Sequence, residues 1–125
     1  MTMTNDEMFD SAVRSAGDKA GVFEYDGETG YFYLYDTRNE SSRKVIAAIP
    51  LLVGTPDFEE KDITIRWDPT ESMAGLFIRG QLWAVFDGET GTQYGGHYRA
   101  HACSEMPVEI INAFEAQEDK HCLDD

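Results

Sequence analysis

Basic residues are scarce in this chain. Ten lysines and arginines stand against 24 aspartates and glutamates in 125 residues, a formal net charge of −14 at pH 7. So few cations leave no broad face to neutralise phosphates, which argues against nucleic-acid binding. The same deficit argues against docking on an anionic lipid surface. Cysteine is nearly absent: Cys103 and Cys122 are too few for a disulfide framework. Long apolar runs are missing as well. The longest, Val45 to Val53, is broken by Pro50 and falls far short of the roughly 20 residues of a membrane-spanning helix. Asp6 and Glu7 lie where a secretory leader would carry Lys or Arg, and no apolar h-region follows. These absences point to the cytoplasm. Recognised catalytic signatures are also lacking: there is no Gly-x-Ser-x-Gly elbow, phosphate-cradling Gly-x4-Gly-Lys-Ser/Thr or Gly-x-Gly-x-x-Gly.

What is present reads as one folded domain over residues 1–125, since apolar residues make up 42% and charged residues 27%, near the averages for such domains. Thr4 and Glu7 have capping-box spacing. Met8, Phe9, Ala12, Val13 and Ala16 then recur at spacings of three and four before Gly17, which predicts a short N-terminal helix with a linker over 1–20. From Gly21 the texture is β. Val22–Tyr25 and Tyr31–Tyr35 flank a loop that closes a hairpin. Strict alternation puts Tyr31, Tyr33 and Tyr35 on one face and Phe32 and Leu34 on the other. One set must face the core, and the tyrosines are assigned to it; left outside, they would form an interface. Further strands are predicted within 44–53, at 62–67, at 76–78 and 82–86 joined through Arg79-Gly80, and weakly at 92–98. Pro107 opens a final helix with Val108, Ile110, Ile111 and Phe114 as its apolar face. The core spans 21–117, and 118–125 is a charged, frayed tail. The expected fold is α+β and β-dominated: an antiparallel meander of six or seven strands, the short N-terminal helix, and a C-terminal helix packed on the sheet.

The most specific feature is a repeat. Asp26-Gly-Glu-Thr-Gly30 recurs unchanged as Asp87-Gly-Glu-Thr-Gly91, each copy preceded by an aromatic, Tyr25 or Phe86, and followed by a tyrosine, Tyr33 or Tyr94. Local turn chemistry accounts for Asp and Gly, because Asp accepts from nearby backbone N–H groups and Gly supplies positive φ. It does not require Glu and Thr in both copies. A second reading therefore brings the loops side by side, so that Asp26, Glu28, Asp87 and Glu89 form a partner-binding carboxylate cluster.

The run Gly21-Val-Phe-Glu-Tyr-Asp-Gly-Glu-Thr-Gly-Tyr-Phe-Tyr33, with Gly75-Leu-Phe-Ile-Arg-Gly80 and Leu82-Trp-Ala-Val-Phe-Asp87, resembles a bacterial family of small uncharacterised proteins, domain-of-unknown-function family 2251. The likeness extends from Gly21 to Phe114. It implies a bacterial cytoplasmic protein and supplies no reaction.

Histidines and cysteines gather late: His97, His101 and Cys103 share strand parity, and His121 adjoins Cys122. Three ligands on one face would suit a catalytic zinc. The familiar ligand spacings are missing, so neither a metal nor any other cofactor is assigned. A Cys103–His101 nucleophile pair is disfavoured by a Cα separation of about 7 Å along a strand. No catalytic residue is assigned.

The leading functional expectation is a non-catalytic binding protein for a basic protein partner, of the inhibitor, immunity or regulatory kind. A second reading is a small enzyme using the carboxylates of the two loops as general acid and base, with Arg99 or His97 stabilising negative charge. A third is a scaffold or homo-oligomer joined through an exposed strand edge.

Overall fold

A computed structural model of the chain describes residues 7–38, 45–99 and 106–114. Among these are eight strands in two four-stranded antiparallel sheets, each in sequential order. The first sheet comprises β1 (Met8–Val13), β2 (Lys19–Tyr25), β3 (Thr29–Asp36) and β4 (Val45–Val53); the second comprises β5 (Ile63–Trp67), β6 (Met73–Ile78), β7 (Gln81–Asp87) and β8 (Gln93–Gly95). The helix α1 (Val108–Ala113) follows.

The expected single meander is thus two. Alternation explains how they face each other. Phe23, Tyr25, Phe32 and Leu34 from the first sheet meet Ile63, Ile65, Leu76 and Phe86 from the second in one core, with the Phe32 and Phe86 rings 5.1 Å apart. Such interdigitation of inner faces is the packing of a β-sandwich. A register shift in the β6–β7 ladder lies at Leu76/Phe77. Phe77, Leu82 and Val85 face away from the sandwich and pack with Met106 and Phe114. The C-terminal helix therefore covers a sheet face, as expected. Phe114 lies over Gly75, where a Cβ would come within 2.8 Å of its ring. Val108, expected on the apolar face, is instead 65% exposed.

The N-terminal helix is not formed. Residues Met8–Val13 pair antiparallel with β2 from Met8↔Tyr25 to Val13↔Ala20. Doublets four residues apart fit a helical stripe, but here they divide between faces: Met8 and Ala12 pack against the core, while Phe9 and Val13 are exposed. Phe, Asp, Ser and Val are modest helix formers, and a six-residue ladder overrides so weak a preference. The proposed cap at Thr4 lies outside the described residues. Gly17 is not a helix stop but part of the hairpin turn between β1 and β2, with φ +76° and its N–H donating to the Arg14 carbonyl at 2.8 Å.

Two corners of the sandwich are engaged. On the β1 edge, the Phe9 N–H donates to Glu60 Oε2 at 2.9 Å, and Trp67 Nε1 donates to the Ala12 carbonyl at 3.0 Å. On the β4 edge, the Tyr98 N–H donates to the Leu51 carbonyl at 2.7 Å. Pro50, which cannot donate to a ladder, sits on this edge strand beside a register shift, a position that tolerates it.

Candidate functional site

The two pentapeptides close the β2–β3 and β7–β8 hairpins with the same device. Asp26 Oδ1 accepts from the Glu28 and Thr29 N–H groups at 2.9 and 2.8 Å. Asp87 Oδ1 accepts from those of Glu89 and Thr90 at 2.8 and 3.1 Å. These bonds hold the Asp26 carboxyl below its ordinary range, the Thr29 N–H contributing most and that of Glu28 next. The aspartates are thus explained by turn chemistry. The glycines are not equivalent: Gly27 has φ +100° in the first copy and Gly91 φ +78° in the second. Gly30 does not hold the positive φ that turn chemistry would give it. It lies in β3, where a Cβ would come within 3.0 Å of Leu52 and 3.2 Å of Phe23.

The structure does not bring the two loops together. Strand β2 begins at the 14–18 turn and ends at the first pentapeptide, a run of roughly 20 Å. Glu89 of the second copy contacts Arg14 in that turn at 3.2 Å. The loops therefore occupy opposite ends of the sandwich, and Asp26 and Glu28 form no cluster with Asp87 and Glu89. At the second end Arg14 is the organising cation. It holds Asp18 with two bonds of 2.7 and 2.8 Å, donates to the Glu71 carbonyl at 2.9 Å, and lies 5.3 Å from the Trp67 ring centroid. The Arg14 hydrogen bond keeps the Asp18 carboxyl far below its usual range.

The first end is open and different in character. Phe32 and Leu34 are fully buried, so Tyr31, Tyr33 and Tyr35 point outward and are half-buried. This reverses the assignment of the tyrosines to the core; the phenyl and leucyl side chains, with no polar atom to satisfy, take the interior. Tyr31 and Tyr33 stack with centroids 5.8 Å apart and planes 13° from parallel. Phe9 is 53% and Val13 56% exposed on this same face. A cleft of about 530 Å³ lies here, lined by Phe9, Glu24, Asp26, Tyr31, Tyr33 and Glu60 among others. Among the described residues, none of its carboxylates has a lysine or arginine partner. Burial, then the charge of Glu24, raises the Tyr33 phenol above its ordinary value. Asp26 is thus the one predicted site residue that lines this cleft. Glu24 and Phe9 were missed, Phe9 because the helical reading hid its strand parity.

His97 and Arg99 are exposed beyond β8, and no hydrogen bond or ion pair joins either to the pentapeptide carboxylates among the described residues. His101, Cys103, His121 and Cys122 lie outside the described residues. Among the described residues no cluster of three metal-ligating side chains occurs, and no helix is long and apolar enough to cross a membrane.

Fold and surface together define a small acidic two-sheet β protein with one sheet face covered by a helix and another carrying an aromatic, carboxylate-lined cleft. The chain belongs to the family described as an uncharacterised protein conserved in bacteria (DUF2251), which matches residues 2–106. An uncharacterised protein of Haemophilus influenzae (strain ATCC 51907 / DSM 11121 / KW20 / Rd) is 34% identical over 91 residues, covering 66% of this chain and 56% of the relative. The chain therefore matches little more than half the length of that relative. No solved structure matches.

Proposed function

We propose that this protein is a non-catalytic binding protein for a basic protein partner, of the inhibitor, immunity or regulatory kind, and that the outer face of the β1–β4 sheet receives the partner. One observation carries the reading: exposed Phe9, the outward Tyr31 and Tyr33, and the carboxylates of Glu7 and Glu24 share one cleft in a chain of net charge −14. Tyrosine and phenylalanine supply the contact area typical of interface cores. Complementary charge accelerates the encounter and selects the partner.

The enzymatic reading has less support. A carboxyl serving as general acid near neutral pH needs its pKa raised by burial, whereas Asp26 is exposed and its pKa is lowered. An edge-to-edge homodimer through the first sheet is likewise less favoured, because β1 at Phe9 and β4 at Leu51 already use part of their outer edges. A cytoplasmic setting accords with the two-cysteine composition. The test is affinity capture from the native bacterial lysate, washed at low and then high salt, with mass-spectrometric identification. A basic protein retained at low salt and shed as salt rises supports the reading; capture that ignores salt, or yields no basic protein, refutes it.

A further inference from the structure

Resting on that reading, the register of the sheet specifies the ligand chemistry more closely. We propose that the cleft beside the β2–β3 hairpin receives an arginine side chain of the partner, with Glu24 as its carboxylate and Phe9 and Tyr31 as its aromatic walls. The ladders pair Phe9 with Glu24 and Glu24 with Tyr31, so the three stand in one row on the outer face. Adjacent strands are about 4.8 Å apart, which separates the two aromatic positions by about 9.6 Å. A planar group sandwiched between rings needs about 3.5 Å on each side, so the row has room for a guanidinium with Glu24 at its floor. Tyr33 lies against Tyr31 and lines the same cleft, where it offers apolar surface to the methylene stem.

A guanidinium suits this row better than an ammonium. It is planar, stacks on aromatic faces, is weakly hydrated and presents paired N–H groups to a carboxylate. The same chemistry operates inside the molecule, where Arg14 combines a two-bond contact to Asp18 with the face of Trp67. Burial raises the Tyr33 phenol most, with the charge of Glu24 next, and Glu24 has no lysine or arginine partner among the described residues.

The probes are capped hexa-arginine and capped hexa-lysine peptides, titrated calorimetrically into the full chain at constant ionic strength. The proposal expects hexa-arginine to bind about tenfold more tightly than hexa-lysine, and Glu24→Gln or Tyr31→Ser to remove that preference. Glu109→Gln, which makes the same charge change on exposed α1, should leave it intact. Both site residues are on the outer face, and circular dichroism verifies that each variant folds. Equal binding of the two peptides, or equal losses from Glu24→Gln and Glu109→Gln, overturns the arginine site. A chain dimer that dissociates in Glu24→Gln also overturns it, since a second copy would then occupy the face. The broader reading is tested separately: if lysate capture of a basic partner persists while the peptides bind equally, the arginine site fails and the binding role stands.

Discussion

Replacing Arg14 by alanine should destabilise the fold by about 2–4 kcal/mol, the range for losing charge-assisted hydrogen bonds from a largely buried cation. The side chain is only 11% exposed. It makes two bonds to Asp18, one to the Glu71 carbonyl and one to Glu89, and it lies against Trp67. These contacts tie the β1–β2 turn of one sheet to the β5–β6 and β7–β8 turns of the other. Arg14→Lys keeps the charge but loses the fork, and should cost about half as much. Glu89→Ala removes one 3.2 Å contact from a side chain that is 65% exposed, and should cost about 0.5 kcal/mol or less. Equilibrium urea unfolding followed by tryptophan fluorescence measures all three, provided the m-value is unchanged. The pH dependence has a fixed sign. The folded pKa of Asp18 is depressed below its ordinary 3.8, so its stabilising effect is complete above that value and fades as pH falls through the folded pKa. The gap between wild type and Arg14→Ala should therefore narrow at pH 3. A cost below about 1 kcal/mol for Arg14→Ala, or one no larger than that of Glu89→Ala, would refute the assignment of Arg14 as the link between the sheets.

Asp68 is 5% exposed and accepts from the Ser72 and Met73 N–H groups at 2.8 and 2.9 Å and from the Thr70 hydroxyl at 2.7 Å. Asp68→Ala orphans those donors and should cost about 2–3 kcal/mol by thermal or urea unfolding, with Asp68→Asn milder. Gly75→Ala places a methyl against Phe114 and should cost about 1–3 kcal/mol; faster proteolysis near α1 would report the loosened helix. Burial and the hydrogen bond to Asp57 raise the Tyr98 phenol to about 12. Because the unfolded phenol ionises near 10, Tyr98 stabilises fully below that pH and loses the effect as pH rises towards 12. Tyr98→Phe should accordingly flatten the alkaline limb of the stability curve, and ultraviolet titration should find one fewer late-ionising tyrosine in the variant than in the wild type, Tyr33 remaining raised in both.

Strand positions from Gly21 onward were legible wherever alternation met turn chemistry. Ile63, Ile65 and Trp67 share a face as their spacing implies, and Arg79-Gly80, with φ +53° and +84°, forms the two-residue hairpin turn their identities suggested. The first strand was illegible because its apolar doublets satisfy a helical period as readily as they divide between the faces of a strand. What chose between these was the ladder supplied by β2, a partner that a local window does not contain. The same limit hid the division into two sheets, since sequential meanders read alike whether they continue or fold over. The pentapeptide misled differently. Its repetition suggested proximity, but Asp26 and Asp87 were solving one local problem at opposite ends of the molecule. The cleft was half visible: the tyrosine alternation is plain, but which face pointed inward depended on Phe32 meeting Phe86 across the core.

The most direct measurement is parallel lysate capture by wild type, by a Glu24→Lys/Tyr31→Ser variant of the open face, and by Glu109→Lys on α1. One basic protein should be bound by wild type and Glu109→Lys and lost from the face variant, which should still unfold cooperatively. Equal capture by all three, or greater loss from Glu109→Lys, would contradict the assignment of the outer β1–β4 face as the binding surface.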